Sequence, residues 1–214
     1  MGKVLFELLG VALLIVIFRD NPQAYIYPMG LFVYTARQPL ADYLRRFPRS
    51  VAFLGLGTLL GLITEVFATF SNINLPPEDK VLLHPVPAYD LLFGLFYYFL
   101  FMLAWYVLLR KFAFSKTSVF IASGMFGALV EQGGMHLANV VVNPFWGSLM
   151  LLIIMSVYAI FPTLTYMVTE DRFEGRIKPH LWQYAMIVPV LFLFWATYGN
   201  FVYPTLLQFF PKGF

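Results

Sequence analysis

Two glutamates within apolar segments are the residues of this chain best suited to chemistry. Each follows two small residues at four-residue spacing, in the triplets Gly57-Gly61-Glu65 and Ser123-Gly127-Glu131. Residues at this spacing share one face of a helix. A charged side chain at the centre of a bilayer costs about 2.5–3.5 kcal/mol on insertion scales, so two carboxyl groups at matching positions favour a function. Such a pair can act as general acid and base, or can bind a solute and exchange protons.

Polar and aromatic residues near the ends of the same segments are candidates for contacting a ligand. These candidate substrate-binding residues are His84, Tyr89, Asp90, Gln132, His136, Asn139 and Trp146. Several tyrosines lie deeper in the apolar segments, among them Tyr98 and Tyr158. A buried phenol needs a hydrogen-bond partner, and the two glutamates are the natural partners.

The histidine and cysteine content argues against a bound metal or cofactor. The three histidines show neither an HxxxH nor an HExxH spacing, and the chain has no cysteine. It therefore has no thiolate nucleophile, no disulfide and no cysteine-based zinc or iron–sulfur site. Gly133-Gly134 interrupts an apolar segment instead of joining a strand to a helix, so it is not a phosphate-binding loop. We expect no metal and no cofactor.

The composition indicates a polytopic membrane protein that forms one integral membrane domain over residues 1–214. Of the residues, 60% are hydrophobic, 19% are aromatic and only 12% are charged. A soluble globular surface needs more charged residues than this. The net charge of +3 reflects basic loops on one side of a membrane, so we expect no nucleic-acid partner.

Six apolar segments are long enough to cross a bilayer, which takes about 20 residues of helix. They cover residues 1–18, 51–71, 88–109, 117–140, 145–168 and 182–207. The segment Tyr25–Tyr34 is too short to span and predicts a re-entrant or interfacial piece. Small residues at i and i+4 let helices approach closely, so the glycines are expected to pack the second span against the fourth. Gly133-Gly134 is expected to weaken the fourth span after Glu131.

The distribution of lysine and arginine predicts the orientation of these spans. Eleven of the 14 basic residues follow the first, third or fifth span. Basic loops of membrane proteins stay in the cytoplasm, so both termini are predicted to lie outside. The expected location is the cell membrane, and membrane lipid is the expected partner.

Residues 51–112 and 117–169 are similar enough to predict a tandem duplication of a helical hairpin. In each, the loop that comes after the glutamate ends with a proline, and an aromatic residue stands two positions beyond it. These sequences are Pro87-Ala88-Tyr89 and Pro144-Phe145-Trp146. This arrangement resembles the small membrane enzymes that hydrate or cyclise carotenoid ends, and the resemblance covers roughly residues 51–169. The chain lacks the Pro-x-Glu-Glu element of the cyclases, and Glu65 is not followed by the glycines and tyrosines of the hydratases. The resemblance implies an enzyme acting on an isoprenoid.

Three classes of function fit the sequence. A membrane-embedded enzyme would use Glu65 and Glu131 as acid and base on an isoprenoid or lipid-like substrate. A small-solute or proton-coupled transporter would use the same carboxyl groups to bind its solute. A non-catalytic membrane subunit would use its basic Arg37–Arg49 segment to dock a partner or anionic lipid. An enzyme requires that both carboxyl groups reach one cavity.

Overall fold

The computed structural model describes residues 22–73, 75–76, 80 and 82–212. Every regular element within these residues is helical, which confirms the predicted all-α class. Two short helices come first, α1 (Ile26–Thr35) and α2 (Arg37–Leu44). The longer helices and their continuations are α3 (Arg49–Asn72), α4 (Pro87–Lys111), α5 (Lys116–Val130), α6 (Met135–Val142), α7 (Pro144–Thr169), α8 (Leu181–Ala185), α9 (Ile187–Thr197) and α10 (Tyr203–Phe209).

Four helical segments of the described residues are long and apolar enough to cross a membrane. They are Arg49–Asn72, Pro87–Lys111, Pro144–Arg172 and Leu181–Phe209. These four agree with the predicted spans at 51–71, 88–109, 145–168 and 182–207, and they support a multi-pass membrane protein. The predicted span at residues 1–18 lies outside the described residues.

The predicted span at 117–140 is not one continuous helix. Helix α5 ends at Val130, a 3₁₀ turn covers Glu131–Gly134, and α6 begins at Met135. Gly133 and Gly134 have φ values of 65° and 79°, a left-handed conformation that side chains with a Cβ disfavour. The expected weakening at the two glycines is confirmed, and it is a complete break in the helix. The count of six spans stays a prediction.

Helices α3 and α4 pack as an antiparallel pair with small residues at the contact. A Cβ placed on Gly61 would lie 2.5 Å from the Tyr98 ring, and one placed on Gly94 would lie 3.2 Å from Glu65 Cγ. Further along, Thr69 Oγ1 is 2.9 Å from Asp90 Oδ2. Each four-residue step forward in α3 therefore matches a four-residue step back in α4. The close approach that the glycines permit aligns Glu65 with the middle of α4.

The glycines do not pack the second predicted span against the fourth, as the sequence suggested. Gly61 lies against Tyr98 of α4, and Gly127 lies against Tyr158 of α7. Each glycine thus contacts the next predicted span along the chain, and consecutive segments are usually neighbours in space. The consequence is that each glutamate faces a tyrosine of its own hairpin.

An aromatic cluster holds the centre of the bundle together. The ring of Phe101 in α4 lies 5.7 Å from Phe126 of α5, 5.5 Å from Phe161 of α7 and 5.2 Å from Phe194 of α9. Offset aromatic pairs at such centroid distances contribute about 0.5–1.5 kcal/mol each beyond area burial. The cluster therefore fixes four helices around the cavity described below.

Candidate functional site: a cavity with two glutamates

Both glutamates line one cavity of about 420 Å³ between the long helices. Glu65 comes from the middle of α3, and Glu131 comes from the break that follows α5. Aliphatic side chains, among them Val130, Ile154 and Val157, supply the apolar wall. The volume lies within the range of about 300–1,000 Å³ that is usual for small-molecule sites. The site therefore combines two carboxyl groups with room for a ligand.

Glu65 is buried and held by α4. The Tyr98 hydroxyl donates a 2.6 Å hydrogen bond to Glu65 Oε2. Only 8% of Glu65 is exposed, and Tyr98 is 6% exposed. Hydrogen bonds between a hydroxyl and a carboxylate are short and strong, so Tyr98 fixes the position of this carboxyl group.

Glu131 is held in the same manner by the second hairpin. The Tyr158 hydroxyl of α7 donates a hydrogen bond to Glu131 Oε2. Because Glu131 begins the 3₁₀ turn, its backbone lies at a break in the helix. Irregular backbone at membrane depth is tolerated only where it is buried in protein or lines a polar cavity. The expectation that the glutamates are partners of deep tyrosines is confirmed for both.

Tyr97 lines the same cavity as the two tyrosine–glutamate pairs. Its ring makes an edge contact with Tyr98 at 5.3 Å between centroids. The two halves of the site therefore share one lining.

Asp90 lies behind Glu65, away from the cavity lining. Its two carboxylate oxygens are engaged by Thr69 Oγ1 at 2.9 Å and by the His84 backbone N–H at 3.1 Å. Asp90 is fully buried beside the turn of α3 that follows Glu65.

His84 is also fully buried beside Asp90. Its Nδ1 accepts a 3.0 Å hydrogen bond from the Val86 backbone N–H, and its ring packs on Tyr89 and Phe93. An imidazole nitrogen that accepts a hydrogen bond carries no proton, so this geometry describes a neutral histidine. Asp90 and His84 were expected to contact a ligand, and that role stays a prediction.

Four more candidate substrate-binding residues lie away from the lining of this cavity, namely Tyr89, His136, Asn139 and Trp146. Tyr89 stacks on Phe210 at 4.8 Å, and Trp146 is 60% exposed beside Phe145. His136 and Asn139 belong to α6, as Gln132 belongs to the 3₁₀ turn before it. The Gln132 side chain lies outside the described residues. A ligand role for this group remains a prediction.

Lys80 and Trp195 also line the cavity, and neither was among the candidate site residues. Lys80 belongs to the connection between α3 and α4, and Trp195 belongs to α9. Lys80 is one of only three basic residues on the predicted outer side, which was the signal available in the sequence. Among the described residues, no cluster of three or more metal-ligating side chains is found.

Removing either tyrosine hydroxyl is expected to destabilise the protein. Tyr98→Phe and Tyr158→Phe each leave a carboxyl group without its donor, which costs about 1–3 kcal/mol when the group is buried. Thermal unfolding in detergent measures this as a lower melting temperature for each variant. Tyr43→Phe is the matched control, because Tyr43 is 54% exposed on α2. Equal melting temperatures for all three variants would show that the tyrosine–glutamate bonds contribute nothing to stability.

Comparison of the chain with protein-family models, curated proteins and solved structures gave no match in any of the three.

Proposed function

We propose that the chain is a membrane-embedded enzyme acting on an isoprenoid or other lipid-like substrate, with Glu65 and Glu131 as acid and base. The observation that carries the proposal is that both carboxyl groups line one cavity, each oriented by a tyrosine. Intramembrane ionisable residues are costly, and their default explanation is function. Two carboxyl groups that line one cavity suit a reaction in which one donates a proton and the other accepts one.

The chemistry requires a proton to enter the substrate at one atom and to leave it at another. A protonated carboxyl group gives its proton to a C=C, hydroxyl or ester group, and the ionised carboxyl group accepts a proton from the substrate or from water. Tyr97 and Trp195 present aromatic rings to the cavity, and such rings stabilise positive charge that develops on a substrate. The apolar wall suits the hydrocarbon part of a lipid.

The proposal extends to a duplicated six-span architecture in the cell membrane with both termini outside. In each hairpin a glycine and a glutamate of the first segment contact one tyrosine of the second segment. Tyr98 is this tyrosine in the first hairpin, and Tyr158 is its counterpart in the second. This parallel between the halves 51–112 and 117–169 supports an origin by tandem duplication. The broken segment that contains α5 and α6 would serve as one of the spans.

Transport of a small solute is the second candidate, and the break at Glu131 favours it. Secondary transporters bind their substrates at discontinuous helices near the middle of the membrane. Here the carboxyl group of Glu131 lies at such a discontinuity. A transporter needs a route from the cavity to each side of the membrane, whereas an enzyme needs only access from the lipid.

Native mass spectrometry combined with lipidomics tests the proposal. Gently purified wild-type protein is compared with the Glu65→Gln, Glu131→Gln double variant, and the small molecules that co-purify are identified. The enzyme proposal expects a bound isoprenoid or lipid whose chemical form changes when the carboxyl groups are lost. A ligand that is identical in form and amount in both proteins, or an empty cavity in both, would contradict it. Proton-flux measurements in liposomes would then test transport.

A further inference from the structure

A second cavity, of about 580 Å³, lies where α3 begins and α7 ends. We refer to it as the arginine cavity. Its charged lining residues are Arg45, Arg49, Asp171, Arg172 and Glu174, and Ser50 contributes a hydroxyl. Asp42 pairs with Arg45 just outside this lining, so three carboxylates and three guanidinium groups lie at or beside the cavity. What the cavity can offer a ligand therefore depends on which arginines keep free donors.

Two of the three arginines bond to carbonyl or carboxylate groups of the protein. Arg172 donates to the backbone carbonyl oxygens of Leu44 at 3.0 Å and Phe47 at 2.6 Å. Arg45 forms salt bridges of 3.1 Å with Asp42 and 3.0 Å with Asp171. These contacts join α2 to the end of α7 and make the wall of the cavity.

Arg49 is held in place but has donors to spare. Its guanidinium carbon lies 5.3 Å from the Phe173 ring centroid and 6.0 Å from that of Tyr106. Within the described residues its side chain makes one hydrogen bond, a 3.3 Å contact with the Arg172 carbonyl oxygen. A guanidinium group carries five N–H donors in a planar fork that matches a phosphate or carboxylate. Arg49 lines the cavity, so its remaining donors are available to an anion there.

The position of the arginine cavity at the ends of two membrane-crossing segments favours a lipid headgroup as its anionic ligand. Arg49 is the first residue of one membrane-crossing segment, and Arg172 is the last residue of another. The ends of such segments lie at the level of the lipid headgroups, on the side that carries the basic loops. Anionic lipids are concentrated on that side of cell membranes. A phosphodiester has the oxygen acceptors that match the free donors of Arg49.

We propose that the arginine cavity binds the phosphate of an anionic phospholipid, with Arg49 as its principal contact. This site is separate from the cavity of Glu65 and Glu131. The inference rests on the proposed orientation of the spans and not on the proposed enzyme activity. It gives the basic segment before α3 a specific role in binding lipid.

Native mass spectrometry of delipidated protein, titrated with single phospholipids, tests the inference. Phosphatidylglycerol is expected to bind to the wild type, and Arg49→Gln is expected to weaken this binding about tenfold because charge-assisted hydrogen bonds are lost. Arg110→Gln is the matched control. Arg110 also lies near the Tyr106 ring, at 5.8 Å, but lines a different cavity. Its replacement is expected to change the affinity less than about twofold.

A second variant keeps the test valid if Arg49→Gln does not fold. Ser50→Asp places a carboxylate in the first turn of α3, where the helix dipole favours it, so the helix is retained while the anion is repelled. Ser50→Asn is its uncharged control, and only Ser50→Asp is expected to weaken binding.

Three results would overturn the inference. Equal losses for Arg49→Gln and Arg110→Gln would indicate attraction by diffuse surface charge. Binding of phosphatidylethanolamine as tightly as phosphatidylglycerol would show that the net charge of the lipid is not recognised. Binding of glycerol phosphate as tightly as the lipid would assign the cavity to a soluble phosphate compound.

Discussion

Replacing Glu131 or Glu65 with glutamine is expected to reduce turnover of the co-purified lipid by about 10²–10⁴-fold, the usual contribution of a general acid or base. Glutamine keeps the size of the side chain, and its amide oxygen still accepts the hydrogen bond from Tyr158 or Tyr98. It cannot donate or accept the transferred proton. Conversion of the identified lipid by reconstituted protein in liposomes measures the effect.

The control for this prediction removes a carboxyl group elsewhere. Glu174→Gln changes an exposed loop residue that does not line the glutamate cavity, so turnover should be unchanged. All three variants should elute as monodisperse protein with melting temperatures close to the wild type. Loss of folded protein in both glutamate variants, with normal turnover in whatever remains folded, would indicate that the pair has a structural role.

Gly147→Ala is expected to cause the largest loss of stability among single substitutions of glycine. A Cβ at this position would lie 2.5 Å from the carbonyl carbon of Asn139 and 2.7 Å from the backbone nitrogen of Val140. These are backbone atoms of α6, so no side-chain rotation relieves the overlap. Overpacking of this kind costs about 1–3 kcal/mol, and α6 must move away from α7. The melting temperature in detergent gives the measurement.

Gly55→Ala is the matched control for the glycine prediction. Gly55 lies within α3, and a Cβ there meets nothing within 4 Å. Alanine is favoured over glycine in a helix by about 0.5–1 kcal/mol, so this variant should melt at or slightly above the wild-type temperature. A similar decrease for both variants would show that the contact between α6 and α7 is not tight.

Much of the architecture could be predicted from the sequence because lipid imposes simple rules. A span needs a long apolar run, and four predicted spans agree with long helices of the described residues. The break after Glu131 followed from Gly133-Gly134, since adjacent glycines lower the cost of leaving a helix. The tyrosine partners of the glutamates followed from the need of a buried hydroxyl for a hydrogen bond.

The neighbours of each helix face were harder to predict. A row of small residues shows that another helix comes close, but it does not identify that helix. The glycines were expected to pack the second span against the fourth, and each instead contacts the next span along the chain. Lys80 was missed as a cavity residue because a lysine in a connection gives no periodic signal. His84 and Asp90 were predicted to contact a ligand, and the sequence could not show that they lie behind Glu65.

The two halves of the glutamate cavity differ in how they would accommodate a change of chain length. An extra residue in α3 would rotate every later side chain by about 100° and separate Glu65 from Tyr98, because the pairing with α4 runs in step along the helix. An extra residue in the 3₁₀ turn at Glu131–Gly134 would be absorbed where the helix is already interrupted. The second hairpin can therefore accept a change of chain length at the cavity wall, whereas the first cannot do so without losing the Glu65–Tyr98 pair.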